Sequence, residues 1–265
     1  MGEKRVLLEH GQGEQIMSSY EKVEQVCGRI RGKVTDIDYD HTLRFFKKRA
    51  EKYNEENPYA VTMYQDHNAE LVQKRNRREM EVILPLLVLD GESKVLDIAC
   101  GIGRWYDAIG QEIGEYCGVD FSEELVRIAR TRHEHTKHVD FITGSATELE
   151  RVLEKNGKGK YNRILMMGIL MYLNDSDIRN VMNQIAHVAG KDTIVCVREP
   201  LGIKRRLTLK DFYSEELENE YNAVYRTREE LMNIFRDTLI HDGFYLKSEG
   251  WMFEDSLNNR KETAQ

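Results

Sequence analysis

The residues whose types and spacing could do chemistry gather around one stretch, Val95-Leu96-Asp97-Ile98-Ala99-Cys100-Gly101-Ile102-Gly103. It reads as a strand running into a Gly-x-Gly turn that opens a helix. Glycine lets such a turn bring its backbone close to a ligand, and the unpaired N–H groups at a helix N-terminus point toward it. Asp120 ends the next strand 17 residues beyond Gly103, where a carboxylate can accept from both hydroxyls of a ribose. This is the chemistry of holding a nucleotide cofactor. A dinucleotide turn needs a third glycine three residues after the second, for tight helix–strand packing. Here the turn continues Arg104-Trp105-Tyr106, with an aromatic ring at that position. Asp97, four residues before the first glycine, instead suits a cofactor with a positively charged amino-acid portion. A plain tight turn with Asp120 as a helix cap is the bland alternative, and Ser122 fills that capping role equally well.

On these motifs the chain resembles the class I S-adenosylmethionine-dependent methyltransferases, over about residues 41 to 253. The resemblance implies S-adenosylmethionine as cofactor, with Asp97, Ala99, Gly101 and Gly103 near its methionine part and Asp120 and Phe121 at its ribose. Where the family often has Gly-Asp-Ala beside the adenine, this chain has Gly144-Ser145-Ala146, so Ser145 and Ala146 inherit that place with a hydroxyl instead of a charge. The run Met166-Met167-Gly168-Ile169-Leu170-Met171-Tyr172-Leu173 is similar to the strand end that flanks the sulfonium, which puts Met167, Gly168 and Tyr172 there. A sulfonium is a soft cation suited to carbonyls and aromatic faces, and Tyr172 is a candidate wall. The early run Phe45 to Tyr53 resembles the lead-in helix that closes over the cofactor, with Tyr53 beside it. Methyl transfer to a small acceptor follows from the resemblance, as in methyltransferases of bacterial glycan and natural-product pathways.

Ligands of open α/β sheets sit outside the carboxyl ends of the strands. The loop after the fifth strand, Arg198-Glu199-Pro200 through Lys204-Arg205-Arg206, should therefore border the acceptor, and Arg226 approaches the same region. Arginine forks match phosphate or carboxylate oxygens, so Arg198, Lys204, Arg205, Arg206 and Arg226 are candidate contacts to an anionic acceptor. A solvated turn is an equal reading of the three consecutive basic residues. A hydroxyl acceptor must lose its proton as the new bond forms, and Glu199 and His67 are the candidate bases. His133, His135 and His138 read as a solvated helix end, and no metal site is expected. No Asn/Asp-Pro-Pro-Tyr stretch is present, which points away from nucleobase and protein amide acceptors. Two other classes stay open: a nucleotide-dependent oxidoreductase, and a non-catalytic S-adenosylmethionine-binding module.

The elements that must position these residues alternate. Strands are predicted at 94–98, 116–120, 139–143, 161–167, 192–199 and 244–253, and helices at 103–113, 122–133, 148–156, 176–189 and 227–241. Such alternation predicts an α/β, Rossmann-like, doubly wound, mostly parallel sheet. Before it come polar-faced helices at 19–31, 41–54 and 69–89, broken by Gly32, Pro58 and Pro85. The division is an N-terminal helical extension over 1–40 and a methyltransferase domain over 41–265 whose lid spans 41–90. After Phe253 only polar residues remain, so a seventh strand is missing from the expected topology and the chain is suspected to be truncated before it. The net charge of −7 argues against a nucleic-acid partner. No apolar run could span a bilayer, a cytoplasmic protein is expected, and a homodimer is left open. The four cysteines, Cys27, Cys100, Cys117 and Cys196, form no CxxC pair and should be reduced and packed.

Overall fold

A computed structural model describes residues 28–64, 66–110, 112–258 and 260–265. In chain order the elements are β1 (Arg29–Arg31), α1 (Tyr39–Glu51), α2 (Ala60–Met63), α3 (Ala69–Leu87), β2 (Lys94–Ile98), α4 (Arg104–Ile109), β3 (Glu115–Asp120), α5 (Glu123–Arg132), β4 (Val139–Thr143), α6 (Leu149–Lys155), β5 (Tyr161–Met167), α7 (Asp175–Val188), β6 (Ala189–Arg198), β7 (Leu201–Gly202), β8 (Leu207–Ser214), β9 (Asn219–Tyr225), α8 (Arg228–Phe235) and β10 (Thr263–Ala264). Strands β4-β3-β2-β5-β6 form one all-parallel sheet in that order. Both of its faces are covered, which is why its strands are near-continuous apolar runs. Leu96 and Ile98 of β2 face a core with Ile178, Val181, Met182 and Ile185 of α7. Val95 faces the opposite core, with Ile83 and Leu87 of α3 and Trp105 of α4. This is the predicted doubly wound α/β fold.

The sheet order reverses between β2 and β5. Such a switch point leaves a crevice at the carboxyl ends of the strands, because the connections from the two strands leave toward opposite faces. A third cluster lies over those ends: Phe45, Phe46 and Ala50 of α1, Val61 of α2, Ile102, Tyr172, and Leu207, Leu209, Tyr221 and Tyr225 of an antiparallel ribbon. The buried Arg49 guanidinium holds α2 against α1, donating to the carbonyls of Ala60 and Val61 and to Asp66 Oδ2 at 2.6 Å.

Several expectations are corrected. Residues 244–253 form no strand, so the main sheet has five strands. Tyr245, Leu246 and Trp251 of that segment are exposed, and their β-rich composition meets no partner edge. Residues 207–225, for which the sequence predicts no element, form the ribbon β8–β9, extended by β1 on the other side of β8. Short strand β10 pairs with β7 outside the main sheet. The helix expected over 103–113 stops at Ile109, where Gly110 turns at φ 77°. Pro85 does not end α3, which runs on to Leu87 and stops with Val88 in the left-handed region. Of the predicted helix 19–31, residues 19–27, with Cys27, lie outside the described residues, and Arg29–Arg31 are strand β1. Cys100 and Cys117 are buried free thiols, and Cys196 is a half-buried one. Among the described residues no helix is long and apolar enough to cross a membrane.

Candidate functional site

The loop that follows β2 is built by backbone conformations its sequence permits. Gly101 and Gly103 have φ of 55° and 79°, a region that costs glycine little and other residues more, and Ala99 is forced into it at 63°. Ala99 N and Cys100 N both donate to Val119 O, at 2.7 and 3.2 Å, which ties the loop to β3. A Cβ on Gly101 would stand 2.9 Å from Thr62 Cγ2, so α2 lies directly on the turn. Asp120 stabilises the same turn. Its Oδ2 accepts from Gly101 N at 2.8 Å and its Oδ1 from Ser122 N at 2.9 Å.

Asp97 and Asp120 are both buried, and their protonation reflects the low-dielectric surroundings. Burial pushes Asp97 up to about 7 against the lowering effect of its hydrogen bond from Tyr116 Oη at 2.5 Å. Asp97 Oδ1 is buried without a hydrogen-bond partner among the described residues. Burial pushes Asp120 up to about 6, although three backbone N–H groups favour its charged form. A buried acceptor left open is costly unless a donor reaches it.

The remaining predicted cofactor residues come together at the same sheet end. Ser145 follows β4 and spends its hydroxyl on Thr147, and Ala146 is buried next to it. Met167 ends β5 and Gly168 follows at φ 90°, where Arg198 Nη1 would stand 3.0 Å from a side-chain carbon. Phe121 packs edge-on against Phe46, and Tyr172 does the same at 5.1 Å. Tyr172 Oη donates to Tyr64 Oη at 2.7 Å and lies 3.4 Å from Tyr221 Oη, while Tyr221 Oη and Tyr225 Oη are 2.8 Å apart. Tyr53 is half-buried at the rim of this aromatic cluster.

The acceptor-side residues separate. Arg206 and Arg226 are buried and bound to Asp175: Arg206 through both Nη atoms at 2.9 and 2.8 Å, Arg226 through Nε at 2.7 Å. Arg226 also donates to the carbonyls of Leu170 and Leu173. Apart from Arg206 Nε, which has no hydrogen-bond partner among the described residues, their donors are committed, and the two side chains hold the N-terminus of α7 to the ribbon and do not line the crevice where anion contacts are expected. Lys204 and Arg205 are exposed on the turn before β8 and do not line the crevice. Arg198 does line it. Glu199, a candidate base, accepts from Leu170 N at 2.7 Å and Met171 N at 3.2 Å, and burial pushes its carboxyl up to about 7. His67 is exposed. His133, read as solvated, stacks on Phe141 with ring centroids 5.4 Å apart.

At the switch point a cavity of about 110 Å³ is lined by Ala99 and Cys100 after β2, Gly168 and Met171 after β5, and side chains that sequence reasoning did not single out: Arg75, Glu79, Arg104, Trp105 and Arg260. A signal for two of them exists. The buried stripe of α3 runs Val72, Arg75, Glu79, Ile83, Leu87, so two charged residues occupy helix positions that otherwise face the core.

Residues 95–192 match a family described as a methyltransferase domain. A phosphoethanolamine N-methyltransferase from Triticum aestivum is 26% identical over 142 residues, which cover 52% of this chain and 27% of that protein. The chain thus spans about a quarter of the length of this relative. Among solved structures, an S-adenosylmethionine-dependent methyltransferase from Leishmania major superposes with a TM-score of 0.58 over 91% of this chain and 87% of that one, at 15% identity. Magnesium protoporphyrin IX methyltransferase from Synechocystis PCC 6803, solved with the cofactor bound, superposes with a TM-score of 0.54 over 88% of this chain and 96% of that one, at 16% identity. These likenesses show the fold.

Proposed function

We propose that the chain is a class I S-adenosylmethionine-dependent methyltransferase, on the match of residues 95–192 to a methyltransferase-domain family, and that it transfers the methyl group of this cofactor to a hydroxyl or amine of a small acceptor bound beside Gly168. The observation that carries the reading is the crevice at the switch point. There Gly101 N of the Ala99–Gly103 loop donates to Asp120, and Asp97 lies close enough to Asp120 for the Asp120 charge to help push it up. The residues fit the cofactor chemically. Asp97, with one orphaned oxygen, suits its ammonium group, and Asp120 suits its ribose. Tyr172 and the carbonyls around Gly168 suit its soft cation. When bound, S-adenosylmethionine supplies a methyl group already activated for in-line displacement, so the protein's part is mostly positioning and exclusion of water.

Glu199 supports this by bracing the Leu170–Tyr172 turn through two backbone N–H groups. The tyrosine hydroxyls of 64, 172, 221 and 225 fix the roof of the site. A hydroxyl acceptor was favoured from the sequence, and the relatives named for N-methylation of phosphoethanolamine support an amine equally. The test has two stages. S-adenosylhomocysteine should raise the melting temperature, and Asp120→Ala should remove most of the rise. An unshifted parent protein would overturn the cofactor reading, and an undiminished shift in the variant would overturn the ribose assignment. Formation of S-adenosylhomocysteine with a panel of small alcohols and amines then reads the acceptor atom.

A further inference from the structure

Tyr116 of β3 pairs with Val95 of β2, and Asp97 lies two residues further along β2 on the same face. A tyrosine at that diagonal can reach its neighbour's carboxylate. Tyr116 Oη donates to Asp97 Oδ2 at 2.5 Å, and the two residues are buried, at 0% and 1% exposure. The ring is held in place. Tyr106 of α4 packs edge-on against it with centroids 5.1 Å apart, and Phe141 of β4 lies tilted against it at 5.8 Å. Burial, and then the Asp97 carboxylate, keep the Tyr116 hydroxyl well above its ordinary range, so it remains a donor. One oxygen of Asp97 is thereby taken, and the other, Oδ1, is buried without a partner among the described residues. Leaving a desolvated oxygen unpaired costs free energy that a donor from a ligand recovers. Besides Tyr116, the titratable groups that act on Asp97 are Arg104 of α4, which Glu79 of α3 engages, Asp120 at the end of β3 and the thiol of Cys100. Cys117, next in β3, acts on Tyr116. Arg104 and Cys100 line the switch-point cavity, so Asp97 stands behind that wall.

We propose that Tyr116 is a positioning residue for the cofactor: its hydroxyl occupies Asp97 Oδ2 and fixes the carboxylate, so that Oδ1 receives the ammonium of the cofactor's amino-acid portion. This rests on the reading of the Ala99–Gly103 loop and Asp97 as the cofactor site. Tyr116 acts through Asp97 and touches no ligand itself. An ammonium needs the charged carboxylate, and a hydrogen bond to the charged form favours it. The hydroxyl therefore does two things with one bond: it orients Asp97, and it lowers the cost of ionising that buried acid as the ligand arrives. A phenylalanine in its place would keep the packing against Tyr106 and Phe141 and lose both effects.

The full chain and its Tyr116→Phe variant are titrated by calorimetry with S-adenosylhomocysteine across a range of pH. In the variant the pH at which affinity rises should move up by about one pH unit, so that affinity falls about tenfold at about pH 6 and less than about twofold at about pH 8.5. Arg104, Asp120 and Cys100 are the same in both proteins and cancel in the comparison. Methylthioadenosine, which keeps the nucleoside and the sulfur but lacks the amino-acid portion, should bind both proteins within about twofold of each other. Asp97→Asn should itself weaken S-adenosylhomocysteine, and adding Tyr116→Phe to it should cost less than about threefold more. Circular dichroism checks folding. If Tyr116→Phe does not fold, 3-fluorotyrosine placed at position 116, whose more acidic hydroxyl is a stronger donor, decides by moving the rise in affinity to lower pH. No loss in Tyr116→Phe, a loss that is equal at all pH values, an equal loss of methylthioadenosine, or an unmoved rise with 3-fluorotyrosine overturns the inference and leaves the cofactor reading standing. A parent protein that binds neither ligand overturns the cofactor reading and the inference with it.

Discussion

Asp97 and Asp120 are protonated in the folded, ligand-free protein at pH values where free carboxyls have ionised, because burial holds them near 7 and 6. A ligand that donates hydrogen bonds to their charged forms must release those protons on binding. Affinity for S-adenosylhomocysteine is therefore expected to rise between pH 5.5 and 7.5, and calorimetry in buffers of different ionisation enthalpy should detect proton release at the lower pH. A flat profile would mean that neither acid meets the ligand in its charged form. Glu199 separates two roles. As a general base its loss would cut kcat by about 10²- to 10⁴-fold with the fold intact. As the brace of the Leu170–Tyr172 turn, Glu199→Gln should lower stability by about 1–3 kcal/mol and kcat by less than tenfold, since one backbone N–H loses its carboxylate oxygen. The second outcome is expected, and chemical denaturation beside steady-state kinetics distinguishes them.

At the scale of elements, the turn between β7 and β8 and the strand end of β9 supply four basic residues with two fates. Arg206 and Arg226 lock Asp175 at the first turn of α7, where a carboxylate also meets the positive end of the helix. Arg226→Met should destabilise the protein by about 3 kcal/mol, because it strips a buried pair and leaves the carbonyls of Leu170 and Leu173 without their donor. Lys204→Ala/Arg205→Ala should leave both stability and the acceptor KM unchanged. A raised KM in that exposed pair would return the turn to the acceptor site. The ribbon itself carried a weak sequence signal. Leu207 and Leu209 alternate, but a bulge between Leu209 and Phe212 breaks the period, and the connection at Glu215–Glu218 lacks the glycine or asparagine dipeptides that mark tight hairpins.

For the whole molecule, the raised carboxyls of Asp97, Asp120 and Glu199 set the pH dependence of folding. Each binds its proton more tightly folded than unfolded, so their stabilisation is present below about pH 4 and is lost as pH rises through about 6 to 7. Asp66, Glu79 and Asp175, held low by arginines, act oppositely and lose their contribution on acidification. The melting temperature of the free protein is expected to fall from pH 5.5 to 8. S-adenosylhomocysteine should flatten that fall by favouring the charged acids, which differential scanning calorimetry can read in both states.

The sequence by itself determined the parallel sheet, its two covered faces and the loop around Gly101 and Gly103. Those rest on local facts: apolar runs long enough for strands buried on both sides, glycines where φ is positive, and acids a fixed distance along the chain. Arg75 and Glu79 were not singled out, although they stand on the stripe of α3 that the structure buries. What it could not sort was one arginine from another. Arg206, Arg226, Arg198 and Arg260 have the same charge and donors, and which of them meets Asp175, Glu79 or Tyr225 is set by residues 31 to 119 positions away. Nor could it place residues 244–253, whose β-rich composition permits a strand but supplies no neighbouring edge. Pairing is a property of two segments, and only the tertiary structure says whether the second is there.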